Sequence, residues 1–289
     1  MNSSTKNTKI IGIDLGGTKV CVGLFENNIL LDKQLRLIPS NNDNPEDLIN
    51  LIIDLVSQLI DDTVIGIGIG VPSLVNREEG IVYQVQNIPS WEKVHLADIL
   101  KSKFNVPVYL DNDANCFAIG EYKYGAGQAC DNFVGITLGT GMGAGIITNR
   151  HLLKDANCGS GEFGSIPYLD GIYEDYCSGK FFKTHYNETG ESLFKKAQKG
   201  SEMAIQAFNE FGRHLGNAIK TIMFSVDPKE IIIGGSVSSS KEYFVDSLMK
   251  TVKDFPYPNS VENLKIKFSD TQNIAILGAA SLIYDRTEA

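Results

Sequence analysis

The sequence predicts an α/β protein built from two similar domains, and three observations carry that expectation. Short apolar runs bounded by glycine alternate with longer stretches whose apolar residues recur at helical spacing. Ile11–Leu30, IGIDLGGTKVCVGLFENNIL, aligns without a gap on Val134–Leu153, VGITLGTGMGAGIITNRHLL. Two such units far apart in one chain indicate two related domains facing each other. At 289 residues the chain is long enough for two cores.

Lys9 to Ile38 reads as three strands, with Asn27 and Asn28 at a turn. The first strand ends near Asp14 and is followed by Gly16-Gly17-Thr18-Lys19. Paired glycines let the backbone turn sharply and approach an anion closely. Amide hydrogens in such a turn can cradle phosphate, with Thr18 adding a hydroxyl and Lys19 a positive charge. Asp14 would repel phosphate, so its place there makes sense with a divalent cation between them. An ordinary hairpin is the plainer account of one turn alone. Its recurrence at Leu138-Gly139-Thr140-Gly141 favours a ligand, gripped at the phosphates by two turns.

Asn44 and Pro45 read as the N-cap and first residue of an amphipathic helix, with Leu48, Ile52, Leu55, Val56 and Leu59 on its apolar stripe. Val64–Val71, VIGIGIGV, is a strand with glycine at alternate positions, so something packs or binds closely on one face. It leads into Pro72–Asn76, a loop at a strand's carboxyl end, where ligands of α/β sheets bind. Asn87–Trp91 is a turn whose tryptophan reads as a core or loop anchor. His95–Phe104 reads as a helix and Val106–Leu110 as a strand.

Asp111-Asn112-Asp113-Ala114-Asn115 then opens a helix running to about Tyr124. Short polar residues at such a junction cap helices. Two carboxylates with no basic neighbour exceed what a cap needs. The functional alternative makes Asp113 a general base and Asn112 a hydrogen-bonding ligand for a polyol. An alcohol becomes a good nucleophile as its proton begins to leave, and a carboxylate can accept that proton.

Past the second turn, Gly159–Gly164 is expected to be flexible and brackets Glu162 with glycines, and Tyr173–Gly179 sets Glu174 among aromatics. Both acids fit solvated surface or the lining of a carbohydrate site. Ser192–Lys199 and Met203–Ser225 read as helices, and Glu230–Ile233 as a buried strand ending in Gly234-Gly235. Those glycines suit a flat adenine or ribose, or a simple tight turn. Lys241–Lys253 reads as helix, Leu264–Phe268 as the last strand and Ile274–Tyr284 as the last helix.

A hydrophobic fraction of 43% and a charged fraction of 21% are ordinary for a globular protein. A net charge of -9 argues against nucleic-acid binding. No apolar run nears membrane-spanning length, and MNSSTKNTK lacks a signal-peptide core. The five cysteines include no CxxC pair, so a cytoplasmic protein with reduced thiols is expected.

Four blocks in order, IDLGGTK from Ile13, DNDAN from Asp111, LGTGMGAG from Leu138 and IIIGGSVS from Ile231, resemble the ROK family (repressors, open reading frames and sugar kinases) of the actin-like ATPase superfamily. The resemblance runs from about Lys9 to Tyr284. It implies two actin-like (ribonuclease H-like) domains, 1–118 and 119–289, with a nucleotide and sugar cleft between them. The final helix is allowed to pack back on the first domain. It also implies transfer of the γ-phosphate of ATP to a hexose hydroxyl, with magnesium, in a homodimer. Glucose is the first expectation, followed by fructose or an N-acetylated hexosamine. A sugar sensor without catalysis is the alternative.

By that resemblance Asp113 is catalytic, and Asn112, Glu162, Glu174 and Asn87 contact sugar. Gly16, Gly17, Thr18, Lys19, Thr140 and Gly141 hold phosphates, Gly234 and Gly235 the adenosine, and Asp14 lies by the metal. Most members carry a His after Glu-x-Gly, and a cysteine cluster that binds zinc with it. Here Ser165 replaces the His, and Cys177 is the only cysteine from Ser165 to Gly179. One thiol cannot build a four-ligand site, so no zinc is expected and the sugar-site wall is left without its usual support. The nine residues before the first strand leave no room for the helix-turn-helix of the family's repressors.

Overall fold

The computed structural model describes residues 8–39, 44–83, 85, 88–154 and 156–285. They divide into two compact units. The first holds Met1–Gly125, His151–Ser160 and Thr271–Ala289, the second Ala126–Arg150 and Gly161–Asp270.

The first unit opens with the antiparallel strands β1 (Lys9–Leu15), β2 (Lys19–Glu26) and β3 (Ile29–Leu37). Asn27 and Asn28, at φ 50° and 66°, make the turn between β2 and β3, a left-handed conformation that asparagine tolerates. α1 (Pro45–Ser57) is capped by Asn44, whose side chain accepts from Glu46 N at 3.1 Å. Next come β4 (Val64–Val71), a small sheet of β5 (Leu74–Asn76), β6 (Ile81–Tyr83) and β7 (Lys93–Val94), then α2 (Leu96–Phe104), β8 (Val108–Asn112) and α3 (Asp113–Tyr124). The main sheet runs β3-β2-β1-β4-β8, with β1, β4 and β8 parallel.

In the second unit β9 (Phe133–Leu138) pairs antiparallel with β10 (Met142–Thr148). β11 (His151–Leu152) returns to the first unit. The hairpin β12 (Pro167–Tyr168) and β13 (Gly171–Ile172) leads into α4 (Tyr173–Cys177) and α5 (Gly179–Tyr186). α6 (Gly190–Ala197), α7 (Glu202–Val226), β14 (Glu230–Gly234), α8 (Val245–Val252), α9 (Pro258–Asn263) and β15 (Lys265–Phe268) follow, and α10 (Ile274–Asp285) closes the chain in the first unit. β10-β9-β14-β15 lie side by side, with β14 parallel to both neighbours. The strand–turn–strand of β1–β2 therefore recurs as β9–β10, as the sequence repeat anticipates. β14 and β15 take the places that β4 and β8 hold in the first sheet.

One face of the first sheet is covered by α1 and α2. Ile52, Leu55, Leu96 and Leu100 pack there on Ile13, Val22, Ile67 and Ile69. α10 and α3 cover the other face. A Cβ on Gly68 would lie 1.8 Å from Ala279 O, and one on Gly12 would lie 2.1 Å from Ile276 O. The side-chain-free face of β4 is thus filled by a helix backbone at close approach. Trp91 is fully buried and its indole donates to Pro45 O at 3.1 Å, an anchor between α1 and its loop.

Several boundaries differ from the sequence pattern. β8 begins two residues later than read, because Pro107 has no N–H for the ladder and only its carbonyl bonds Ile67 N, at 2.9 Å. The helix expected over Lys241–Lys253 is split at Phe244 between a 3-10 segment, Ser236–Tyr243, and α8. The Ser238 and Ser239 hydroxyls bond local carbonyls at 2.7 Å, competing with helix. Gly159–Gly164, expected to be flexible, runs into a 3-10 turn over Phe163–Ser165, and a Cβ on Gly164 would lie 2.4 Å from Met142 O. α4 and α5 have no counterpart in the pattern reading, since Ser178 and Gly179 break them into short pieces.

Candidate active site

In the first unit, strand register assembles the site. β1 sets Asp14 beside Gly70 of β4, and β4 sets Gly70 beside Asp111 of β8. Strands stand about 4.8 Å apart, so the Asp14 and Asp111 backbones are roughly 10 Å apart. Gly70 puts no side chain between them, and a Cβ there would lie 3.5 Å from Asp113 Cα. The Gly16–Lys19 turn and the Asp111–Asn115 corner therefore share the carboxyl edge of one sheet. Cys116 lies behind this edge. Its thiol is pushed well up, chiefly by burial, with Asp111, Asp113 and Asp14 adding and Arg77 opposing.

The two acids of the corner have different surroundings. Asp111 is buried, pairs with Arg77 Nε at 3.0 Å, and accepts from Asn112 N at 2.7 Å and Asn115 Nδ2 at 2.8 Å. The sequence shows no basic neighbour for these carboxylates; the fold supplies one from the loop after β5. Arg77 is distant in the chain, so no local spacing signals it. Asp113 is half-buried and its Oδ1 accepts from Ala114 N at 2.8 Å. Asn112 is the cap of α3, accepting from Ala114 N at 2.8 Å while its Nδ2 donates to Ser73 O at 3.2 Å.

In the first turn Gly16 N donates to Lys19 O at 2.9 Å, and Thr18 and Lys19 are exposed. Asp14 is half-buried, and burial raises its pKa while the Lys19 charge opposes the rise.

In the second unit, the register of β9 and β14 sets Thr137 beside Gly234. Gly235, at φ 87°, approaches so closely that a Cβ would lie 2.3 Å from Leu138 O. The turn after Leu138 has Thr140 exposed, with Gly139 N donating to Gly141 O at 3.0 Å. Gly179 N donates to Gly139 O at 2.8 Å, seating the start of α5 on this turn. Glu174 accepts from Met142 N at 3.0 Å and from Lys180 Nζ at 2.5 Å. Lys180 is another contributor that pattern reading did not single out. The pKa of Glu162 is raised by desolvation and then by the charge of Glu174. Thr140, Gly141, Gly234, Gly235 and Glu174 therefore gather at the carboxyl edge of the second sheet. Asn87 lies outside the described residues.

The segment between Glu162 and Glu174 is tied to α7 by tyrosines. Tyr168 stacks on Tyr173 at 4.3 Å, and its hydroxyl meets His214 Nδ1 at 3.1 Å and Asn217 Nδ2 at 2.9 Å. Tyr173 OH meets Thr221 Oγ1 at 2.8 Å. Among the described residues no three His, Cys, Asp or Glu side chains converge as a metal site, and Cys177 is fully buried. This segment is held by rings and hydroxyls. No described helix is long and apolar enough to cross a membrane.

A match to the ROK family spans residues 10–286. The chain is 30% identical to the glucokinase of Thermotoga maritima, over 96% of this chain and 98% of that one. It is 29% identical to the xylose repressor of Bacillus subtilis, over 95% of this chain and 77% of the repressor. A solved ROK glucokinase of Streptomyces griseus, in complex with glucose and AMPPNP, superposes with a TM-score of 0.82 at 26% identity, covering 95% of this chain and 98% of that one. With two actin-like domains and these four motif blocks, the chain belongs to the ROK family.

Proposed function

We propose that the protein is an ATP-dependent sugar kinase, with the 6-hydroxyl of glucose as the first candidate acceptor and fructose or an N-acetylated hexosamine next. The observation that carries this reading is the β1–β4–β8 register, which sets the Gly16–Lys19 turn and Asp113 at one sheet edge. Asp113 accepts the hydroxyl proton as phosphoryl transfer begins. Asn112, with one Nδ2 hydrogen beyond its bond to Ser73, offers a donor to the sugar, and Glu162 and Glu174 offer acceptors. Asn87 is assigned to the sugar by resemblance alone. Gly16, Gly17, Thr18, Lys19, Thr140 and Gly141 hold the phosphates, while Gly234 and Gly235 are assigned to the adenosine by resemblance.

Asp14 fits a magnesium ligand. It is a hard oxygen donor beside the phosphate turn, and it accepts no hydrogen bond from the described residues. Magnesium, when bound, neutralises charge on the phosphates. Cytoplasmic residence and a homodimer belong to the same proposal.

The relatives named glucokinase, one solved with glucose and AMPPNP, support this reading. The similarity to a xylose repressor favours a second reading, a sugar-responsive protein without turnover. Coupled ADP release on a panel of hexoses and hexosamines separates the two. A kinase releases ADP only with its sugar, and no release with any sugar would count against the first reading.

A further inference from the structure

Glu174 is a carboxylate held as a bound anion would be. One oxygen accepts from Met142 N at 3.0 Å and the other from Lys180 Nζ at 2.5 Å. Both donors belong to the second turn or to the helix seated on it, since Met142 follows Gly141 and Lys180 follows Gly179. A Cβ on Gly141 would lie 2.5 Å from Glu174 Oε2, so the missing side chain leaves room for an anionic oxygen at that point. An ammonium and a backbone amide that hold a carboxylate are the donors a phosphate oxygen takes. The Lys180 side chain is 45% exposed and that of Glu174 is 18% exposed. The pair is thus open to solvent at its Lys180 end.

We propose that Met142 N and Lys180 Nζ form a phosphate site that Glu174 fills until a terminal phosphate displaces it. The proposal rests on the sugar-kinase reading and adds Lys180 as a phosphate contact. It also links the two substrates. Displaced Glu174 is then free to accept a sugar hydroxyl, the role the kinase reading gives it. Nucleotide and sugar then favour each other's binding by the same factor in both directions. Because the tethered carboxylate competes from within the chain, removing its charge tightens phosphate binding, and removing Lys180 weakens it.

Isothermal titration of the full chain with pyrophosphate, without sugar, tests this. Glu174→Gln should bind about tenfold more tightly than wild type and Lys180→Met about tenfold more weakly, since a neutral competitor or a lost ammonium removes a charge-assisted bond. Lys180→Arg should stay near wild type, which separates charge from damage to the fold. Parallel titrations with a non-hydrolysable ATP analogue and a hexose 6-phosphate name the source: the occupant is the one whose affinity moves with both variants. Equal or weaker pyrophosphate binding by Glu174→Gln overturns the proposal. Unchanged binding by Lys180→Met, or no binding to any form, does the same. None of these readings depends on turnover, whereas absent sugar-dependent ADP release counts against the kinase reading itself.

Discussion

The two glycine turns descend from one sequence pattern, yet their surroundings differ. At the first, a Cβ on Gly16 would come no closer than 3.4 Å, to Lys19 O, an ordinary contact. At the second, a Cβ on Gly139, which aligns with Gly16, would meet nothing within 4 Å, whereas one on Gly141 would strike Glu174 Oε2 at 2.5 Å, and Gly179 N holds Gly139 O at 2.8 Å. The first turn is open and stands beside acids. The second is braced by a glutamate and a helix end. A glycine that no neighbour demands points to something outside the chain that approaches it, whereas a glycine pressed by its own protein is explained without a ligand. The comparison therefore assigns Gly16 and its counterpart Gly139 to binding, and Gly141, which only the second turn carries, first to architecture.

The largest stability effect belongs to the acid side of the comparison. Arg77→Met leaves Asp111 charged and buried, and breaking such a pair costs about 3–5 kcal/mol. Urea unfolding should show that loss, and a cost under about 1 kcal/mol would mean that water already screens Asp111. Gly141→Ala comes next, at about 1–3 kcal/mol, because the new methyl must push Glu174 off Met142 N. A variant as stable as wild type would remove the distinction between the turns.

Gly16→Ala should change stability by less than about 0.5 kcal/mol. Its KM for ATP should still rise by about tenfold, the cost of losing a close charge-assisted phosphate contact. Equal melting losses in the two alanine variants would contradict the comparison.

Smallest is Asp14→Asn, a modest rise in thermal midpoint at neutral pH. The folded-state pKa of Asp14 is raised, so its ionised form is penalised in the fold. That penalty is absent below the unfolded value near 3.8 and develops as pH rises through the folded value. The advantage of Asn over Asp should therefore grow with pH across that window. An advantage that shrinks instead would show that Asp14 is stabilised by its charge.

Much of this was legible in the residues. The β1–β2 and β9–β10 repeat shows as an ungapped alignment, and the alternate glycines of β4 signal the close approach of α10. Asn44, Asn112 and Asp113 declare their helix starts by local chemistry. What stayed hidden depends on contacts distant in sequence. Arg77 reaches Asp111 only because β5 folds next to β8, and nothing near either residue encodes the pair. Lys180 looks like any surface lysine until α5 sets it against Glu174. The 3-10 turn of Ser236–Tyr243 was missed because serine hydroxyls compete with the helix its neighbours favour.

The central claim is that Asp113 takes the proton of a sugar hydroxyl. Steady-state ADP release by Asp113→Asn, beside sugar binding measured by titration, tests it most directly. Turnover should fall by about 10²–10⁴-fold, the usual contribution of a general base, with sugar affinity within a few-fold of wild type. Turnover equal to wild type would contradict the account.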